Sequence, residues 1–331
     1  MIAELRRFTH ERQALGRGAS SPQDALRAVA AVYSSHPSGP VSLWARSRRF
    51  SAREFFALDA LRVPAMRGSI HIVAREAAPL AFGLTRESPA TRDKRLAYFG
   101  LDRKAYTTLK RRVRAAAKEP RTAAEFKEEI GFEGSIAPVL GGMNREGILI
   151  RVAPPGLRSN ALRYQAATLE RATEGEALGW AAGEYLRAFG PARVEDFRWW
   201  VGTSVKAARA ALDGHDTIDV GEGFLLRAED ERAFDSAKTV RKSTVDVVPK
   251  WDALTMGYPK DGRARFLDPE LNDRAYDFRG DGRGLVLAGG EAVAAFEGGK
   301  RGIEVDWFEK PGATLKAAAA KRFDEMEAVL A

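Results

Sequence analysis

Six cations, Lys104, Lys110, Arg111, Arg112, Arg114 and Lys118, fall between positions 104 and 118 with no acid among them. Tyr106, Leu109 and Val113 recur there at helical spacing, so the stretch reads as a helix from about Arg103 to Lys118 with an apolar stripe and a cationic remainder. Such a face attracts phosphates; a merely solvated face usually carries acids as well. Arg67-Gly68, with His71 close behind, is a second focus. At a hairpin tip Arg67 suits a phosphate or minor-groove contact, and His71 suits a phosphate contact or a hydrogen-bonded packing position. Histidine occurs only at His10, His36, His71 and His215, without a His-x-x-x-His pair, and cysteine is absent. Disulfides, thiolate catalysis and cysteine-based metal sites are excluded, and neither a dedicated zinc site nor a cofactor is expected.

These groups need a scaffold, and an internal repeat suggests one. Ser51-Ala52-Arg53-Glu54-Phe55, Thr122-Ala123-Ala124-Glu125-Phe126 and Arg193-Val194-Glu195-Asp196-Phe197 are offset by 71 residues each (122 − 51 and 193 − 122). Each has a helix-start pattern of cap position, two spacers, an acid that reaches back and an entering apolar residue. The third copy places Arg193 at the cap, so its cap must differ. A helical stretch and then hairpin-like alternation follow each copy, which is the plan of a winged helix-turn-helix. We expect an α+β chain of three tandem winged helix-turn-helix units, at 1–75, 76–171 and 172–240. A small β-rich C-terminal domain at 241–331 follows.

The first unit reads as a helix over 1–16 and a second starting at Ser21-Pro22, where cap and N1 proline adjoin. A turn at Pro37, Gly39 and Pro40 follows, then the repeat helix from Ser51 to about Leu61 and a wing over 63–73 turning at Arg67-Gly68. The second unit adds helices at 122–129 and 136–145 and a wing of 148–151 with 162–165. In the third, helices at 177–189, 193–201 and 204–212 lead into a hairpin of 217–220 with 224–227. Beyond Lys238, short strands alternate with Gly-rich turns until a closing helix over 313–330.

A chain of 331 residues holds two to four small domains, and its 45% hydrophobic and 30% charged residues are ordinary for a globular protein. Lys and Arg number 53 against 45 acids, a net +8 that tilts the expected partner modestly toward a polyanion. Neither a signal-peptide core nor a membrane-length apolar run is present. The expectation is a cytoplasmic, nucleoid-associated monomer with double-stranded DNA as partner, and no membrane or metal.

Three blocks resemble bacterial winged-helix DNA-binding proteins that include the AlkZ and YcaQ type DNA glycosylases, enzymes that excise alkylated bases and unhook interstrand crosslinks. The first is Leu43-Trp44-Ala45-Arg46 followed by Met66-Arg67-Gly68-Ser69-Ile70-His71-Ile72-Val73. The second runs from Ala188-Phe189-Gly190-Pro191-Ala192 through Asp196-Phe197-Arg198-Trp199-Trp200-Val201-Gly202. The third joins Val248-Pro249-Lys250-Trp251-Asp252 to Met256-Gly257-Tyr258 and Phe266-Leu267-Asp268-Pro269. They come in the family's order and span nearly the whole chain. The resemblance implies duplex DNA binding, with Arg46, Arg67, His71, Lys110, Arg111, Arg112 and Arg114 as expected contacts.

It also implies a catalytic position. Before the proline preceding the first block, the family carries Gln-x-Gln or Gln-x-Asp, side chains that hold the hydrolytic water beside a flipped nucleotide. Here the matching positions are Tyr33-Ser34-Ser35, then His36-Pro37, with neither amide nor carboxylate. Cleaving an N-glycosidic bond passes through an oxocarbenium-like sugar, and a base alkylated on a ring nitrogen is already a cationic leaving group. The needs are therefore a positioned water, negative potential near the sugar, and access to the nucleotide. Tyr33 and Ser35 hydroxyls can orient water weakly, and His36 can act as a base or simply pack in its turn. Asp252 is the acid nearest a cleft by the resemblance, or else a turn cap. Trp44, Trp199 and Trp200 read mainly as core. Two functions stay open: a glycosylase with altered water-positioning residues, and a DNA-binding protein that kept the scaffold without the chemistry. A transcription regulator is a weaker third, since no effector domain or dimerisation helix is visible.

Overall fold

Helices begin where the sequence supplies caps. Ser21 Oγ accepts from Asp24 N with Pro22 at the first helical position, opening the Pro22–Ala28 helix. The three repeat copies each open a helix, Ala52–Phe56, Ala123–Ile130 and Val194–Val201. Thr122 and Glu125 cap reciprocally, at 2.6 Å from Thr122 N to the carboxylate and 3.3 Å from Glu125 N to the hydroxyl. In the third copy the fully buried Asp196 takes over. It accepts from Arg193 N at 3.0 Å and from the Arg193 guanidinium at 2.8 Å, so the arginine is held by the acid it would otherwise have to replace.

The computed structural model describes residues 1–299 and 302–331. It is a mixed helix and antiparallel-sheet architecture. The hairpin of Ala60–Pro64 and Ile70–Ala74 turns at Met66–Gly68, where Arg67 has φ 54° and Gly68 φ 72°. A second hairpin pairs Leu149–Val152 with Arg163–Ala166. The two join edge to edge where Arg62 faces Arg151. Ala31–Tyr33 and Arg121–Thr122 extend this to six strands. A two-stranded hairpin, Thr217–Asp219 with Leu225–Arg227, and a four-stranded C-terminal sheet complete the β structure. The Ala313–Leu330 helix covers the latter, burying Ala319, Phe323, Met326 and Leu330 at helical spacing, with Phe323 edge-on to Phe296 at 5.0 Å.

One hydrophobic core runs from Leu15 to Leu330, drawing on the first hairpin, the Glu174–Phe189 helix and the C-terminal sheet. A second, from Leu96 to Tyr164, includes Tyr106, Leu109 and Val113 of the cationic helix, Arg103–Ala116. The N-terminal helix Ile2–Arg12 packs Leu5 and Phe8 against Phe224, Leu226 and Phe234.

Two local expectations are corrected. Pro37 to Pro40 is no turn: it opens a helix, Ser38–Arg46, because Pro40 lies in the first turn, where a missing N–H costs nothing. The first repeat helix stops at Phe56, since the chain is already a strand from Ala60. The new helix needs Gly39, whose Cβ would stand 2.7 Å from the Tyr33 carbonyl oxygen. Gly39→Ala is expected to push the Tyr33 strand end away and cost about 1–3 kcal/mol in urea unfolding; an unchanged midpoint would contradict that contact.

Candidate active site

Tyr33, Ser34 and Ser35, at the end of the first strand, form one wall of an open cleft of about 560 Å³. The hairpin tip from Arg67 to Ile70 adjoins them. Across from it stand Asn144 and Arg145, at the end of the Ala137–Arg145 helix, with Arg151 and Tyr164 of the second hairpin. Trp251, Met256 and Asp281 come from C-terminal loops. The cleft therefore needs four distant segments at once, and the shared six-stranded sheet aligns three of them.

Its electrostatics are lopsided. Arg67, Arg145 and Arg151 make no ion pair among the described residues, and Asp281 is the acid in the lining. Arg67 is fixed all the same: its Nη2 donates to Tyr33 Oη at 3.0 Å and to the Met256 carbonyl at 3.3 Å, and its guanidinium lies 4.0 Å over the Trp199 ring. Asn144 anchors its Nδ2 on the Leu149 carbonyl at 2.9 Å, and Oδ1 has no protein partner among the described residues. Trp251 has φ 58°, a left-handed conformation that a bulky residue adopts only under constraint, and it is partly exposed in the cleft wall. Its N–H donates to the Gly282 carbonyl at 3.1 Å, which ties it to the loop of Asp281. Gly282 has no room for a side chain, its Cβ position being 2.6 Å from Thr255 Oγ1.

The expected residues divide. Tyr33, Ser35 and Arg67 meet in the cleft. Asp252 and Arg46, expected as an acid at the cleft and a DNA contact, are both fully buried and bound to each other through two 2.8 Å hydrogen bonds. Asp252 also accepts from Ser42 Oγ at 2.6 Å and from Leu254 N at 2.9 Å, which occupies its lone pairs. Neither reaches a surface. His71 is likewise enclosed rather than presented to DNA, with Nδ1 on the Ser69 carbonyl at 3.0 Å. His36 is buried and faces a separate recess, its Nδ1 3.1 Å from the Leu157 carbonyl. On the cationic helix, Lys110 pairs with Glu146 at 3.0 Å and Arg112 donates to the Ile130 carbonyl, whereas Arg111 and Arg114 are exposed. Trp44 and Trp200 are core, as expected, and Trp199 is half-buried under Arg67. The sequence reading missed Asn144, Arg145, Arg151, Trp251 and Asp281. Gly280-Asp281-Gly282, an acid between two glycines, was the available signal of a tight turn presenting a carboxylate.

Burial, aided by Arg62 for His36 and by Arg67 for His71, pushes both rings from 6.5 down to about 4. Both are neutral near pH 7. Because the unfolded chain takes up these protons first, stability falls as pH drops from 6.5 toward 4. His71→Gln is expected to flatten that fall by about one proton in urea titrations; an unchanged slope would mean the ring is not sequestered. Asp252→Ala should cost about 3–5 kcal/mol, with Arg46→Met on top of it recovering much of the loss. A cost below about 1 kcal/mol would contradict a closed ion pair.

Among the described residues no helix is long and apolar enough to cross a membrane, and no cluster of metal-ligating side chains is present. The solved structure of the Streptomyces sahachiroi DNA glycosylase AlkZ is similar to this fold, with a TM-score of 0.74 over 99% of this chain and 96% of that one, at 18% identity. No curated protein matches. A family model described as AlkZ-like DNA glycosylase matches residues 26–329, nearly the whole chain. The chain belongs to the AlkZ-like DNA glycosylase family.

Proposed function

We propose that the protein hydrolyses the N-glycosidic bond of an alkylated purine in duplex DNA, and that the cleft beside Tyr33–Ser35 receives the flipped nucleotide. The observation that carries this is the charge pattern: three arginines without acidic partners around a single carboxylate, Asp281. The arginines suit phosphates on either side of the nucleotide. The partly exposed Trp251 offers aromatic surface to the extruded base. We read the three helix–hairpin groups as winged units with the bounds 1–75, 76–171 and 172–240, followed by the 241–331 domain. The six-stranded sheet shared by the first two units, and the core that the first and third share with the C-terminal sheet, support reading them as one binding body.

The chemistry follows from the needs of a cationic transition state. The C1′–N bond breaks with its electron pair leaving on the base nitrogen, which neutralises the alkylated ring. Water oxygen bonds to C1′, and its proton passes to the Asp281 carboxylate. Asn144 Oδ1 and Ser35 Oγ orient that water, the Ala137–Arg145 helix supplying the amide that positions 33–35 lack. Asp281 negative charge also favours the oxocarbenium sugar. His36 has no part in this step, since it faces another recess.

The test is single-turnover excision of N7- or N3-alkylated purines from duplex DNA, read as alkali-labile abasic sites. Asp281→Asn is expected to lose about 10²-fold in rate with duplex affinity retained. A rate within about threefold of the parent would remove Asp281 from the mechanism. Binding with no excision by the parent protein would favour the binding-only reading.

A further inference from the structure

A small recess adjoins the cleft along the seam between the two hairpins, with Ser34, Ser35 and Arg151 bordering both. Its floor is the pair Arg62 and Arg151, directly opposite one another on adjacent antiparallel strands. Side chains so placed project from the same face, and like charges there repel. A fold stable for its own sake would put an acid between them. Here no aspartate or glutamate lines the recess, and neither arginine makes an ion pair among the described residues. What the protein offers them instead is one aromatic ring each, Phe55 5.8 Å from the Arg62 guanidinium and Tyr164 5.6 Å from that of Arg151, which is weak compensation at such range. The Nε of each is enclosed and has no hydrogen-bond partner. Arg62 reaches only the His36 ring nitrogen Nε2, at 3.5 Å. That leaves His36 Nε2 as acceptor and its Nδ1–H as donor to Leu157. Burial pushes the Arg62 guanidinium down to about 10. Two half-buried cations facing each other without a carboxylate are costly, and a buried unsatisfied polar group in a native fold calls for an absent partner.

The recess measures about 60 Å³, room for roughly two waters. It is too small for a base or sugar and suits one tetrahedral anion. Serine hydroxyls at its rim add neutral donors to the arginine forks.

We propose that Arg62 and Arg151 together seat a single backbone phosphate of bound DNA, next to the nucleotide held in the cleft. This rests on the reading of the cleft as a nucleotide site and adds the anchor for its strand. Ser34, Ser35 and Arg151 line both cavities, so a phosphate in the recess would lie directly beside a nucleotide in the cleft. The seat holds the backbone while the base is drawn out, so strand anchoring and nucleotide extrusion share one structural element.

The experiment uses the full chain and a duplex carrying a central abasic-site analogue, with single methylphosphonates placed in turn at each flanking phosphate. Arg151→Gln and Arg62→Gln are each expected to weaken duplex binding about tenfold and to lower the salt slope by about one. One methylphosphonate position should weaken the parent similarly, and add nothing further to either variant. Without DNA, each variant should melt about 1–2 °C higher than the parent, because the repulsion is relieved. A purely structural role predicts the opposite shift. Additive losses at every methylphosphonate position, with duplex binding intact, would overturn the seat and leave the cleft reading standing. No duplex binding by the parent would overturn both. In that case, a rise in melting temperature with inorganic phosphate that Arg151→Gln abolishes would assign the recess to a free phosphate-bearing ligand instead of DNA.

Discussion

The Asp252 carboxylate, wholly out of solvent, grips Arg46 and Ser42 on the Ser38–Arg46 helix, and this contact ties together two segments whose neighbours line the cleft. On one side the helix presses Gly39 against the Tyr33 carbonyl and so sets the strand end that carries Tyr33 to Ser35. On the other, Asp252 follows Trp251 and precedes Met256 in the same turn. One ion pair thus registers two walls whose sequences lie more than two hundred residues apart (252 − 46 = 206). Burying two charges is costly unless their remaining hydrogen-bonding capacity is used, and Asp252 meets that condition through Leu254 N and Ser42. Arg46 Nε is left without a partner, so the pair is not fully compensated. That residual cost is consistent with a link that fixes position more than it adds stability.

With the walls fixed, the charge distribution becomes interpretable. Most arginines of this chain are absorbed by carboxylates or carbonyl oxygens: Arg193 by Asp196 and Asp261, Arg95 by Glu87, Arg274 by Asp306. Along the cleft and the seam beside it, Arg62, Arg67, Arg145 and Arg151 have no carboxylate partner among the described residues, and of the four Arg67 and Arg145 reach a carbonyl oxygen. A net +8 spread over the whole surface would say little, whereas a line of uncompensated guanidiniums along one concave path says where a polyanion fits. The single carboxylate in the cleft lining, Asp281, is the group that the proposed mechanism sets against a developing positive charge on the sugar.

Much of the fold was legible because its cues are local. Capping residues at Ser21, Thr122 and Ser204 and the left-handed turn at Arg67-Gly68 announce their elements within a few residues. The closing helix is found at Ala313–Leu330, within the expected range. What failed was decided at a distance. Pro37 to Pro40 looks like a turn until a helix N-terminus needs filling there. Arg46 and Asp252 are charged residues in the blocks that carry the family resemblance, and nothing nearby tells that each neutralises the other. Asn144, Trp251 and Asp281 become neighbours only after the second hairpin joins the first and the C-terminal loops fold over. Their absence from the sequence reading is the ordinary consequence of a site assembled from four segments.

The measurement that bears most directly on the central claim is hydrogen–deuterium exchange of the full chain with and without a duplex containing an abasic-site analogue. The account predicts slowed exchange at residues 33–35, 67–70, 144–151 and 279–282 together, the segments that surround the uncompensated arginines. Protection confined to the outer cationic helix at 103–116, with those four segments unchanged, would contradict it.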